Sequence, residues 1–109
     1  MTKPDYPYYP YYILKDKKPI QIKDLLLWAK WFEKADRHVK DEKIGDVRIS
    51  TVFLGIDDNY GLNGPPILFE TMIFGGPLDG EMWQYETWDD ALKGHKRVVR
   101  EVMKHNTKD

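Results

Sequence analysis

The 109-residue sequence contains no cysteine and a single serine, Ser50. The lack of cysteine excludes a disulfide framework, a thiolate zinc site and a cysteine nucleophile, and it fits a reducing cytoplasm. Ser50 falls within a predicted strand, without the strand-to-helix turn that presents a catalytic serine, so serine catalysis is not expected. No stretch approaches the roughly 18 consecutive apolar residues of a membrane-spanning helix, so no membrane partner is expected.

Signatures of metal and cofactor sites are also missing. No two histidines are spaced i, i+4, and no HExxH pattern occurs. The glycine-containing stretches 61–66 and 75–80 match neither the P-loop nor the dinucleotide fingerprint, so we expect turns there and no cofactor. Asp57, Asp58 and Glu70 supply the oxygen ligands that a divalent cation prefers, and a metal-dependent hydrolase using them stays an alternative.

The patterning predicts an α+β domain over residues 11–109, preceded by an arm of proline and tyrosine over residues 1–10. Runs of β-branched and aromatic residues predict strands, and apolar residues at spacings of three and four predict helices. The predicted strands cover residues 11–15, 47–56, 67–74 and 82–86, and the predicted helices cover residues 24–40 and 88–105. The expected architecture is an antiparallel sheet of three to four strands with two helices, in the order β-α-β-β-β-α.

The two central predicted strands are apolar on both sides, whereas a solvated sheet face alternates with polar residues. A helix, the arm or a second copy of the chain is therefore needed to cover the second face. Together with a free sheet edge, this pattern makes a homodimer an expectation to test. His95 lies among valine and leucine on the inner stripe of the second helix, so we expect a buried, hydrogen-bonded histidine there.

Opposite charges are separated along the chain. Residues 57–90 contain eight acids and no lysine or arginine. The second predicted helix instead carries five cations within a sector about 100° wide, opposite its valine-rich stripe. These cations are Lys93, Lys96, Arg97, Arg100 and Lys104. Two interpretations stay open: a solvated helix face with cations near the C-terminus, or a contact surface for an acidic protein or for nucleic acid.

Aromatic residues outside the strands give further candidate contacts. Tyr8 and Tyr9 in the arm are suited to stacking on bases or to docking in a protein groove, unless they pack on the domain's own sheet. Trp31 flanks the apolar stripe of the first predicted helix, where it belongs either to the edge of the core or to an exposed ridge.

Two stretches of the chain carry a resemblance to known sequences. Residues 50–57 (STVFLGID) and 64–76 (GPPILFETMIFGG) resemble a group of short uncharacterised proteins of bacteriophage and prophage genomes. The similarity extends to residues 11–14, 28–37, 85–88 and 94–95. The resemblance implies a phage or prophage setting and an intracellular role during infection, and it supplies no catalytic residues.

Our leading hypothesis is a small non-enzymatic, phage-type accessory protein. It would bind a host or phage protein through the five cations, with Trp31, Tyr8 and Tyr9 as further contacts, and would modulate or inhibit its target, for example a defence system. Charged surfaces speed encounter, and aromatic anchors hold complexes together. Nucleic-acid binding by the basic helix and the tyrosines is the first alternative, and metal-dependent hydrolysis is the second.

Overall fold

A computed structural model describes residues 8–59 and 64–106. Its elements are β1 (Tyr12–Lys15), β2 (Lys18–Gln21), α1 (Leu25–Lys34), β3 (His38–Ile44), β4 (Val47–Phe53), β5 (Phe69–Phe74), β6 (Met82–Tyr85) and α2 (Trp88–Asn106). The predicted α+β class with two helices and antiparallel strands is confirmed, and the structure adds two strands, β2 and β3, to the expected order. Residues 1–7 of the predicted arm lie outside the described residues.

The main sheet has four antiparallel strands in the order β3-β4-β5-β6. The helix α2 lies across one face of this sheet and contacts all four strands. Because side chains alternate along a strand, Ile49 on β4 and Ile73 on β5 point to the helix side, where they pack against Val98 and Val102 of α2. This cluster joins α2 to the two central strands of the sheet.

A second core cluster closes the end of the sheet where β4 finishes. Phe53 and Phe69 are cross-strand partners and are completely buried. Trp31 of α1 packs edge-on against Phe53 with the ring centroids 5.9 Å apart, and Trp88 of α2 packs edge-on against Phe69 at 6.3 Å. Aromatic pairs favour such edge-to-face geometry, so this cluster joins both helices to the sheet.

The first helix begins as expected but ends earlier. Asp24 is the N-cap, and its carboxylate accepts hydrogen bonds from the backbone N–H groups of Leu26 and Leu27. The predicted helix over 24–40 is wrong beyond Lys34, because residues 38–44 form β3 and pair with β4 across the turn at 45–46. Val39 fits the helical stripe and a strand equally well. Pairing with the long neighbouring strand β4 therefore prevails over local periodicity.

The predicted turn over residues 16–19 contains only Asp16 and Lys17, and a further strand, β2, begins at Lys18. Asp16 and Lys17 both have positive φ, 52° and 68°, as a two-residue hairpin turn with the right-handed twist requires. Lys18–Gln21 then pairs with β1 to form a separate two-stranded sheet. Pro19 cannot donate to a ladder and argues against a strand in the sequence, but it is tolerated here because β2 is an edge strand.

The face of the main sheet opposite α2 carries exposed apolar residues. Phe74 is 44% exposed and Met82 is 53% exposed. Within residues 8–59 and 64–106, neither helix is long and apolar enough to cross a membrane.

Candidate binding surface on the second helix

The helix α2 is strongly amphipathic, and its start is fixed by Thr87. The Thr87 hydroxyl accepts a hydrogen bond from the Asp90 N–H at 3.0 Å and so caps the first turn of the helix. Asp89 and Asp90 occupy the first turn, where the helix dipole favours acids. The inner stripe of Ala91, His95, Val98 and Val102 is buried against the sheet. The orientation of α2 is therefore set by packing, and the outward direction of its other face follows.

The outward side chains of α2 include the five predicted cations, which are all exposed: Lys93, Lys96, Arg97, Arg100 and Lys104. Lys104 lies 3.7 Å from Glu101. The other four make no ion pair with any residue in the described part of the chain. We call these four residues the basic face. It combines four unneutralised charges within about 10 Å along the helix axis.

A groove borders the basic face where α2 passes beside the edge strand β6. It has a volume of about 320 Å³, and its apolar wall is formed by Leu78, Trp83 and Val98. Arg97 lines the groove together with Glu81 and Glu101. One residue of the basic face thus stands next to apolar surface that reaches solvent. The groove could not be predicted from sequence patterns, because it depends on how β6 and α2 lie relative to each other.

Gly94 allows the close approach of α2 to β6. A Cβ at this position would overlap the ring of Tyr85, which is buried beneath the helix. The Tyr85 hydroxyl donates to Thr71 Oγ1 at 3.1 Å. Burial raises the pKa of the Tyr85 phenol, and the hydrogen bond to Thr71 and the charge of Arg97 oppose that shift.

His95 is buried and hydrogen-bonded, as expected, with 1% of its surface exposed. Its Nε2 lies 2.8 Å from the Glu42 carboxylate and its Nδ1 lies 2.7 Å from Thr51 Oγ1. A carboxylate only accepts, so Nε2 donates to Glu42. Thr51 Oγ1 shares hydrogen bonds with both Nδ1 of His95 and Thr71 Oγ1. The hydrogen bonds thus form one continuous chain through Tyr85, Thr71, Thr51, His95 and Glu42.

The order hydroxyl, imidazole, carboxylate in Thr51, His95 and Glu42 is also that of a catalytic triad. Thr51 is completely buried, however, and no substrate atom reaches its hydroxyl. Every polar atom of this network has a partner in the fold, so its contribution is to join β3, β4 and α2. The sequence signalled this role only through the placement of His95 on an apolar stripe.

Among the candidate metal ligands, Asp57 has different hydrogen-bond partners from Asp58 and Glu70. Asp57 is buried, and its carboxylate accepts from the backbone N–H groups of Asn59 and Ile67 and from the Tyr8 hydroxyl. Asp58 and Glu70 both accept from the side-chain amide of Gln84. Within the described ranges, no three His, Asp or Glu side chains are grouped to hold a metal ion.

The aromatic candidates also have partners within the fold. Tyr8 donates to Asp57, and both burial and this hydrogen bond raise the pKa of the Tyr8 phenol. Tyr9 is half-buried, with the Lys23 ammonium 5.9 Å from its ring centroid. Trp31 is half-buried against Phe53 at the edge of the core. Tyr9 and Trp31 are thus partly buried, whereas Tyr8 stays 36% exposed.

The structure defines the chain as an α+β protein whose antiparallel sheet is covered on one face by a basic, amphipathic helix. In comparison with known proteins, the chain matches no protein-family model, no curated protein and no solved structure.

Proposed function

We propose that this chain is a non-enzymatic accessory protein that binds an acidic surface of another protein through the basic face of α2. The observation that carries the proposal is the exposure of Lys93, Lys96, Arg97 and Arg100 without an ion-pair partner in the described residues. Unneutralised cations on a rigid helix attract an acidic partner and orient it during encounter. Internal packing needs none of these four side chains.

The groove beside Arg97 favours a protein partner. Protein interfaces combine apolar anchors, which fill desolvated pockets, with a charged rim. Trp83 and Leu78 supply apolar surface next to Arg97, in the geometry that such an anchor requires. Glu81 and Glu101 line the same groove and would repel a phosphate backbone there.

Nucleic-acid binding is the second candidate, and the linear arrangement of the basic face favours it. Each phosphate contact made by a lysine or arginine releases counterions, so affinity would fall steeply with salt. The formal net charge of −1 opposes strong binding. A gel shift with a DNA duplex of random sequence at two salt concentrations tests this candidate: a salt-sensitive shift supports it, and the absence of any shift at low salt rejects it.

The biological setting is part of the proposal and is supported by the resemblance to phage and prophage proteins. In that setting the chain acts in the host cytoplasm during infection and modulates or inhibits a host or phage macromolecule, with counter-defence as one such role. The proposal that the chain is not an enzyme is supported by the burial of Thr51 and His95, which keeps substrates away from this triad-like arrangement.

The test is affinity capture from infected cells with three tagged baits, followed by mass spectrometry. The baits are the wild type, the double variant Lys96→Glu/Arg100→Glu, and the matched control Lys30→Glu/Lys34→Glu, which reverses two exposed lysines on α1. Both variants change the net charge equally. A partner retained by the wild type and the control but lost by the α2 variant supports the proposal. Equal retention by all three baits contradicts it.

A further inference from the structure

We propose that two copies of this chain pair through β6, in antiparallel orientation about Trp83, to form one continuous eight-stranded sheet. Of the basic face, the dimer involves Arg97 alone. The capture test changes Lys96 and Arg100, which lie outside the dimer contact, so each of the two proposals has a test that the other does not affect.

The outer side of β6 has unpaired backbone groups. β6 is the last strand of the main sheet and pairs with β5 alone among the described elements. The Ile73 N–H donates to the Glu81 carbonyl at 3.0 Å, so the Glu81 carbonyl points towards β5. Because the direction of backbone groups alternates along a strand, Trp83 and Tyr85 also bond towards β5. The N–H and C=O groups of Met82 and Gln84 therefore point away from the sheet.

The opposite edge of the sheet is protected against such pairing, whereas β6 is not. β3 has the sequence HVKDEKI, and charged side chains on an edge strand discourage addition of another strand. β6 has the sequence MWQY and carries no charge. An uncharged edge strand with free backbone groups is a template for a further strand, and the second copy offers the same template in return.

The outward groups of β6 complement themselves in one register. In this register Trp83 lies opposite Trp83 of the second copy. Met82 then lies opposite Gln84 of the second copy, and Gln84 lies opposite Met82 of the second copy. All four outward N–H and C=O groups of each β6 then find a partner. The two-fold axis of this pairing is perpendicular to the sheet, so both copies of α2 lie on the same side.

Charges along the groove complement each other in the same register. The groove is lined by Glu81 and Glu101 and by Arg97, whose charge acts on Tyr85. The residue opposite Glu81 is Tyr85 of the second copy, whose ring lies beside Arg97 of that copy. Each Glu81 therefore approaches the Arg97 of the other copy, and this charge complementarity occurs twice across the two-fold axis.

A consequence for the function rests on the proposed binding by α2. Two copies of the basic face on one side of the dimer present a doubled positive surface to the same partner. Two linked sites raise apparent affinity beyond that of either site when the partner spans both.

Sedimentation velocity over a range of concentrations tests the dimer. The wild type should sediment with the mass of two chains and dissociate on dilution. Gln84→Pro removes an N–H that points away from β5, so the sheet of one copy keeps its hydrogen bonds. Each dimer loses two hydrogen bonds, and the dissociation constant should rise about tenfold or more. A wild type that sediments as a single chain at every concentration overturns the proposal.

Gln84→Ala is the matched control. It removes the same side-chain contacts to Asp58 and Glu70 but keeps the N–H, so its dimer should dissociate like the wild type. If Gln84→Ala and Gln84→Pro weaken the dimer equally, pairing through the β6 backbone is contradicted. Circular dichroism of both variants checks that they are folded.

Two further measurements keep the proposal testable if Gln84→Pro does not fold. In wild-type hydrogen exchange, the amides of Met82 and Gln84 should gain protection as concentration rises, while Trp83 and Tyr85 stay protected throughout. Concentration-independent exchange at Met82 and Gln84 overturns the proposal.

A charge swap tests the register. Glu81→Arg and Arg97→Glu should each weaken the dimer, and the double variant should recover most of the loss. A double variant weaker than both single variants contradicts the register. Lys96→Glu/Arg100→Glu should leave the dimer unchanged.

Discussion

Gly94 of α2 lies against the ring of Tyr85 on β6, so closely that no Cβ fits between them. In the interior of an ordinary helix, replacing glycine by alanine stabilises by about 1 kcal/mol. At position 94 alanine should instead destabilise the protein, because the new methyl group must displace a buried ring or push α2 away from the sheet. The distance between the helix and the edge strand, and with it the width of the groove, depends on this one glycine.

Gly94→Ala is therefore expected to destabilise the protein by about 1–3 kcal/mol. Urea unfolding of the single variants and of the double variant with Tyr85→Ala measures the coupling between the two positions. In the Tyr85→Ala background the same substitution should be neutral or stabilising, since the obstructing ring is gone. An equal loss of stability in both backgrounds would show that the ring contact is not the cause.

Thr51→Val is expected to cost about 1–3 kcal/mol, although the two side chains have nearly the same shape. It removes the hydroxyl that is the hydrogen-bond partner of both His95 Nδ1 and Thr71 Oγ1 inside the core. Thr51→Ser is the matched control, because it keeps the hydroxyl and removes one methyl group. Thermal or urea unfolding compares the two variants, and a serine variant less stable than the valine variant would contradict the network.

The stability of the protein should fall as the pH rises above about 10, where an unperturbed tyrosine ionises. Burial raises the pKa of Tyr85 in the folded state above its ordinary value of 10.0. The stability that Tyr85 contributes is therefore fully present below that pH, and it is lost as the pH rises and the phenol ionises in the unfolded chain. Tyr85→Phe should show a shallower alkaline loss in urea unfolding, and identical pH profiles would count against the effect.

Asp57→Ala should loosen the backbone between β4 and β5, since the carboxylate accepts from the N–H groups of Asn59 and Ile67. We expect a loss of about 1–3 kcal/mol, because buried donors are left without partners. Hydrogen exchange at Ile67 should accelerate in this variant. Asp58→Ala is the control: its carboxylate is exposed and contacts the Gln84 side chain, so its effect should be small. Equal effects of the two substitutions would contradict this assignment.

Most of α2 and of the sheet was predictable from the sequence, because strong local signals agree there with the tertiary structure. The apolar stripe from Ala91 to Val102 marked the helix, and β-branched runs marked β4 and β5. The C-terminal end of α1 was not predictable, because Val39 satisfies both periods and only the pairing with β4 decides. Strand β2 was missed since Pro19 disfavours strands unless they lie at an edge.

The candidate surface was predictable only where a local signal in the sequence sets it. The cations of α2 follow from helical periodicity alone. The groove and the free groups of β6 depend on how segments distant in the chain come together, such as Leu78 and Arg97, which line the same groove. Likewise, His95 bonds to Glu42 on β3, and the first residues of that strand were predicted to be helical.

The most direct test of the central claim is the affinity of a purified, captured partner for three immobilised proteins. These are the wild type, Lys96→Glu/Arg100→Glu and the control Lys30→Glu/Lys34→Glu. Reversing two cations at a charged interface should weaken binding by about tenfold or more, chiefly through attraction lost and repulsion gained. We predict that loss for the α2 variant and wild-type affinity for the control. Equal affinity of all three proteins would contradict binding through the basic face.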